Sequence, residues 1–186
     1  MANSLVIRKA LSKVSFGILL TLLGSTCLAE TQSSVNDTEV KLTMNLENEV
    51  REEIEEMHRF FVDWFNGKAA QPVFDEFTSR FDDTVKYIGA EGSLLDRTAL
   101  IGFLGGAQGI ASNFRIAIRD VKIQSLSDSH IVVTYTEWQR HATFSDRPEN
   151  GRITTLILSK SKPFRWMHIH ETWLPEAIDK AGPYDF

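Results

Sequence analysis

Glu137 and Glu171 stand where an alternating strand pattern calls for apolar residues. Ile131, Val133, Tyr135, Glu137 and Gln139 share one side of "HIVVTYTEWQR", and Met167, Ile169, Glu171 and Trp173 share one side of "WMHIHETW", because successive side chains of a strand point to opposite faces. A carboxylate between a helix layer and a sheet is costly unless it is paired or faces a cavity. Burial raises its pKa and a second carboxylate nearby raises it further, which suits a general acid or base. Near strand ends the same residues also fit plain contact with water or ion pairing with Arg119 or Arg140. Tyr87 and Tyr135 can aim hydroxyls into such a cavity or pack in a core, and Trp64 packs in the core or forms one wall of the cavity. The expected ligand-pocket set is therefore Trp64, Tyr87, Tyr135, Glu137 and Glu171. Glu137 and Glu171 are the candidate catalytic residues, and the expected partner is a small molecule.

The same segment offers metal chemistry through "HIHE". His168 and His170 point to one side of a strand, but a site needs a third ligand on a neighbouring strand. His141 alternates to the opposite face, and His130 sits beside a turn. No metal and no cofactor are expected. Trp138, Arg140, Trp166, His168 and His170 instead make an aromatic and polar patch, which suits a homodimer interface. A β-bulge would exchange these face assignments. His58, at the edge of a helical apolar stripe, reads as a partly exposed structural histidine. "GFLGGAQG" follows a helix instead of a strand, so it reads as a rim loop and a candidate lid, not as a phosphate loop.

Helices and strands must position these groups. Leu46, Val50, Ile54, Met57, Phe61, Trp64 and Phe65 recur at helical spacing, with Asn45 as expected N-cap and Gly67 as C-cap. A short helix is expected from Pro72 to about Ser79, and another after the cap Asp96, ending at Gly105 and Gly106. Strands are expected over 84–89, in "SLLD", and over 114–126, 130–144, 152–159 and 164–173. Ile118, Val133, Leu156 and Ile169 form the most consistently apolar set and are assigned to the helix-covered face. Helices followed by a long meander indicate an α+β fold.

The chain has 186 residues. Arg8, Lys9 and Lys13 precede an apolar run over 14–23 and the small residue Ala29, the pattern of a signal peptide over 1–29. Lipidation of Cys27 is the rival arrangement. Residues 30–44 are rich in Thr, Ser and Asn and read as a flexible spacer, with a single domain over 45–186. The expected location is the periplasm or the exterior. The apolar run is shorter than the roughly 20 residues that span a bilayer, so no transmembrane segment is expected in the processed chain. Cys27 is the only cysteine, so the processed chain has no thiol chemistry. Of 20 Lys and Arg, three fall in the leader, leaving 17 against 25 Asp and Glu. An acidic domain without a basic cluster argues against nucleic acid.

The order of these elements, with "FNGK", "FDEFTSRFDDTVKYIGAEG", the capped "LDRTALIGFL" and the closing "WMHIHETWLP", resembles the nuclear transport factor 2-like superfamily. The likeness is to its SnoaL-like, uncharacterised bacterial branch, related to the association domain of calmodulin-dependent kinase. The resemblance implies a cone-shaped, strongly curved, mostly antiparallel sheet with about three N-terminal helices on its concave face. It also implies a pocket in the mouth of the cone, where catalytic members place a carboxylate base and a donor. Three functions follow as alternatives: an exported small-molecule-binding protein, an isomerase, dehydratase or cyclase with a pocket Glu as base, or an oligomerisation module without ligand. Fold alone does not choose among them.

Overall fold

A computed structural model describes residues 27–186, with side chains from Lys41 onward except Leu42. The chain divides into two units, Met1–Val40 and Lys41–Phe186, and the sheet and the site lie in the second. The leader expected over 1–29 falls mostly outside the described residues. Among these residues no helix is long and apolar enough to cross a membrane.

Helix α1 spans Cys27–Phe65. It starts well before the expected cap and runs through the stretch that reads as a spacer. No Gly or Pro interrupts the sequence between Ala29 and Asn66, so nothing breaks the helix there. Asn45 is accordingly mid-helix, donating to Glu49 Oε1 at 2.9 Å. Gly67 ends the helix as expected, at φ +70°, a conformation glycine adopts without steric cost. Helix α2 (Gln71–Thr78) follows. Helix α3 (Arg97–Gly106) is capped as expected, with Asp96 accepting from the Ala99 amide at 2.9 Å.

The strands are β1 (Phe81–Ile88), β2 (Leu94–Asp96), β3 (Arg115–Leu126), β4 (His130–Arg140), β5 (Asn150–Ser159) and β6 (Trp166–Trp173). They form one open sheet in the order β2-β1-β6-β5-β4-β3. Only β1 and β6 run parallel, so the fold is α+β and mostly antiparallel. Register shifts interrupt β1, β3 and β6; such bulges bend strands and increase twist. Val50, Ile54 and Met57 of α1 are fully buried, as are Val133 of β4 and Leu156 of β5. Each such side chain contributes about 1.5–3 kcal/mol of burial.

A short helix α4 (Glu176–Ala181), which the sequence reading missed, follows the sheet. Asp179 of this helix accepts from the Gly151 amide at 2.5 Å and from the Tyr184 hydroxyl at 2.7 Å. This ties the C-terminal segment to the sheet face that bears Trp138.

Candidate functional site

Cross-strand register sorts the inward-facing residues into layers. Leu158 pairs with Ile131 and Trp166, and Leu156 pairs with Val133 and Ile169. These two layers are apolar and solid. In the next layer Thr154 pairs with Tyr135 and Glu171; beyond it Arg152 pairs with Glu137 and Trp173, and finally Asn150 pairs with Gln139. The polarity therefore changes between Leu156 and Thr154, two residues along one strand.

The polar layers border a cavity of about 470 Å³. Its apolar wall comes from Phe61 and Phe65 of α1, Leu100, Phe103 and Leu104 of α3, and Phe144 of the β4–β5 loop. His58, Tyr87, Glu137, Gln139, Arg152 and Glu171 supply its polar wall, and Glu91, Asp146 and Arg147 also line it.

Arg152 is the centre of the polar set. Its Nη1 donates to Glu171 Oε2 at 2.6 Å, and its Nη2 donates to Gln139 Oε1 at 3.0 Å and Asn150 Oδ1 at 2.9 Å. Its Nε is buried without a partner, and its planar head lies 4.9 Å from the centre of the Trp173 ring. The Tyr87 hydroxyl donates to the same Glu171 Oε2 at 3.0 Å. Glu171 is thus unevenly held: Oε2 has two donors, and Oε1 has none among the described residues.

Glu137 is held from two sides. Gln139 Nε2 donates to its Oε1 at 2.6 Å, and His58 Nε2 lies 3.3 Å from its Oε2. The other nitrogen of His58, Nδ1, is 2.6 Å from the Ile54 carbonyl oxygen. A carbonyl only accepts, so Nδ1 carries a hydrogen. Nε2 can then face a carboxylate only if one more proton lies between them.

The two carboxylates titrate in opposite directions. Burial works to raise both. At Glu137 the Arg152 charge and the His58 contact outweigh burial and hold the carboxyl down at about 2. At Glu171 burial wins: with Glu137 nearby, it lifts the carboxyl above its ordinary range despite Arg152. Burial also raises Tyr87 and Tyr135, so both stay protonated hydroxyls.

The architecture around this site is similar to solved structures. An NTF-2 like protein of unknown function from Pseudomonas aeruginosa superposes with a TM-score of 0.63 at 24% identity, over 68% of this chain and 98% of that one. This chain has the nuclear transport factor 2-like fold. The CaMKII hub of S. rosetta gives a TM-score of 0.53 at 16% identity, over 67% of this chain and 94% of that one. An uncharacterised protein with a cystatin-like fold from Caulobacter vibrioides gives 0.52 at 12% identity, over 72% of this chain and 95% of that one. No protein-family model and no curated protein matches the sequence.

Within this NTF2-like frame, four of the five expected pocket residues line the cavity: Tyr87, Tyr135, Glu137 and Glu171. Trp64 does not. It is buried beside Phe74, with ring centres 4.4 Å apart, and its indole N–H donates to the Leu104 carbonyl at 2.7 Å. Neither Arg119 nor Arg140 pairs with a pocket carboxylate; Arg152 does. His58, read as partly exposed, is 4% exposed and meets Glu137. The glycine-rich loop is strapped to the end of α1, with the Gly109 amide donating to Trp64 O at 3.1 Å and the Ala111 amide to Phe65 O at 2.9 Å. It is anchored and does not form a free lid.

The expected interface patch loses two members. Ile157 pairs with His168 while Leu158 pairs with Trp166, so Met167 is an extra residue in β6. That bulge turns Trp166 inward, where it is 1% exposed and donates to Glu53 Oε1 at 2.9 Å. Trp138 remains on the outer face but the chain itself covers it. It lies across Gly151, whose added Cβ would approach it to 2.7 Å, and it packs edge-on against Tyr184 at 5.4 Å. Arg140 Nη1 is engaged by Phe186 O at 2.9 Å. His168 is half-buried and His170 exposed on the outer face, while Ile169 and Glu171 point inward. No cluster of metal-ligating side chains occurs among the described residues.

Proposed function

We propose that this chain binds a small organic molecule in the cavity between α1, α3 and the sheet, with the ligand's polar end at Glu171. The observation that carries this is the uneven Glu171 carboxylate, whose Oε1 lacks any donor among the described residues while Oε2 has two. Oε1 is not among the fully buried atoms that lack a partner, so a ligand donor can reach it and complete the set that Tyr87 and Arg152 begin. The cavity volume of about 470 Å³ falls in the range of roughly 300–1,000 Å³ typical of small-molecule sites. A ligand-free module calls for a filled interior, so the cavity speaks against that alternative.

A second reading, an isomerase, dehydratase or cyclase type of enzyme, is favoured by one feature. Burial raises Glu171 above the ordinary carboxylate range beside a Tyr87 hydroxyl, which suits a group that takes up and releases a proton.

A fragment screen by ligand-observed NMR tests both. Hits are expected with the wild type, weaker with Glu171→Gln, and absent with Ile116→Trp, which enlarges a β3 side chain that lines the cavity. Turnover of any hit that Glu171→Gln abolishes supports the enzyme. Hits that survive Ile116→Trp unchanged place binding elsewhere and refute the proposal.

We also propose export and self-association. Export is supported by the basic, apolar and small-residue order before Glu30. Self-association is supported by the outer face, where Ile153 is 45% exposed near His170.

A further inference from the structure

The charges around the cavity identify the class of ligand, granted that the cavity is a ligand site. The buried charged groups of its polar wall are linked to one another. His58 of α1 meets Glu137 of β4 at 3.3 Å. Arg152 of β5 meets Glu171 of β6 at 2.6 Å, and Tyr87 of β1 donates to the same carboxylate. Tyr135 of β4 is a buried hydroxyl. The inventory is two carboxylates, one permanent cation and the extra proton that the His58–Glu137 contact requires. These sum to zero.

An anionic ligand would add a third negative group. The polar wall opens no cationic donor to it: Arg152 spends Nη1 on Glu171 and Nη2 on Gln139 and Asn150, its unpartnered Nε is buried, and Trp173 covers one face of its head. The rim does not invite anions either, since Glu91 and Asp146 accompany Arg147 there. An ammonium ligand would add a positive charge to a set already balanced, within reach of the Arg152 head. Burying an unbalanced charge is costly in either case. Of the four oxygens of Glu137 and Glu171, only Glu171 Oε1 lacks a donor among the described residues.

We infer that the cavity takes an uncharged ligand with a neutral O–H or N–H donor at its polar end and an apolar body against Phe61, Phe65, Phe103 and Leu104, and that it turns away carboxylates, phosphates and ammonium groups. The donor meets Glu171 Oε1. Tyr87 and Arg152 fix the carboxylate through its other oxygen, so the acceptor is presented in one orientation.

The test uses matched probes on the whole chain: 2-naphthylmethanol, 2-naphthoate and 2-naphthylmethylammonium, with the corresponding benzyl alcohol, benzoate and benzylammonium as a smaller series. Affinities are read by calorimetry at pH 7.5, with quenching of cavity tryptophans as a second readout. The alcohols should bind at least about tenfold tighter than either ion, the scale of one charge-assisted hydrogen bond. Glu171→Gln should weaken the alcohols by about tenfold, because its amide oxygen will turn toward Tyr87 and Arg152 and leave an NH₂ group facing the ligand's donor. Ile116→Trp should abolish alcohol binding. Naphthoate binding as tightly as the alcohol, and lost in Arg152→Gln, overturns the inference, as does a preference for the ammonium probe; the cavity then remains a ligand site of another class, provided Ile116→Trp removes that binding. If no member of either series binds, the ligand-site reading falls and this inference with it.

Discussion

Arg152→Gln is the most telling substitution in this domain. The guanidinium makes three hydrogen bonds inside the protein, at 2.6, 2.9 and 3.0 Å, and Glu137 and Glu171 are both buried around it. A glutamine cannot reach all three acceptors and brings no charge. Removing one partner of a buried ion pair costs about 3–5 kcal/mol, because the other charge is left uncompensated. Here two carboxylates share the loss, so the upper half of that range is expected at pH 7. The pH dependence has a definite sign. In the wild type, Glu137 is depressed to about 2, so its stabilising contribution is present above the ordinary carboxylate pKa and is lost as pH falls toward 2. Glu171 is raised, so its contribution is fully present below the ordinary value and is lost as pH rises through the folded one. Without Arg152 the folded pKa of both carboxyls rises: Glu171 follows the second rule more strongly, while Glu137 loses much of its depression and keeps only the pull of His58 and Gln139. The variant should therefore regain stability as pH is lowered from 7 to 5. Urea unfolding monitored by circular dichroism at several pH values measures this, and Glu171→Gln added to Arg152→Gln should recover part of the loss. A loss below about 1 kcal/mol at pH 7, the level of an exposed pair, or a loss that does not change with pH, would show that the cluster is solvated and the electrostatic account wrong.

Four further outcomes are expected. Glu171→Gln alone should cost about 1–3 kcal/mol in urea unfolding, less than Arg152→Gln, because Glu137 remains near Arg152 and an amide oxygen still faces Tyr87 and Arg152; a cost as large as that of Arg152→Gln would make Glu171 a structural residue. Gly151→Ala should lose about 1–3 kcal/mol by overpacking, because its Cβ would approach Trp138 to 2.7 Å; a neutral effect would mean that the indole moves freely. Tyr184→Ala should expose Trp138 to acrylamide quenching, and unchanged quenching would show that the C-terminal segment does not cover it. Intact-mass analysis of envelope-derived protein should give a chain beginning at Glu30, whereas a full-length product would end the export proposal.

Alternation made Glu137 and Glu171 legible, because each breaks an apolar row whose direction the neighbouring Val133 and Ile169 fix. The Asp96 cap and the Gly67 stop were legible from their chemistry alone. Arg152 was not, although the same row contains it. Counting back from Leu156 by twos gives Thr154 and Arg152, but Arg152 is the first residue of the expected strand, directly after the turn residues "ENG", where alternation fixes a face least firmly. His58 was readable in principle as well: it lies four residues after Ile54 and so on the same side of α1. A lone histidine on a stripe carries no mark of a partner 79 residues away. Trp166 was misassigned because a single inserted residue reverses parity, and no residue type announces the bulge at Met167. The cover over Trp138 depends on a contact between β4 and the C-terminal segment, which local pattern does not encode.

Trp64, read as a core residue or one wall of the cavity, is a core residue that acts on the cavity from outside. Its indole N–H holds Leu104 O, its own carbonyl receives the Gly109 amide, and the Phe65 carbonyl receives the Ala111 amide. The first bond joins the end of α1 to α3, and the other two tie the loop that follows α3 to the same end of α1; Phe61 and Phe65 of α1 and Phe103 and Leu104 of α3 bound the apolar side of the cavity. The three bonds work as a clasp, and the clasp sets the gap. A guest too thick for that gap must undo the joint, at roughly 0.5–1.5 kcal/mol per bond, and not merely push aside a rotamer. Selection by thickness is then a property of the hinge line between two helices. Trimming the wall would lengthen the list of accepted shapes only slightly, while Trp64→Phe, a change that never touches the guest, would loosen the limit itself.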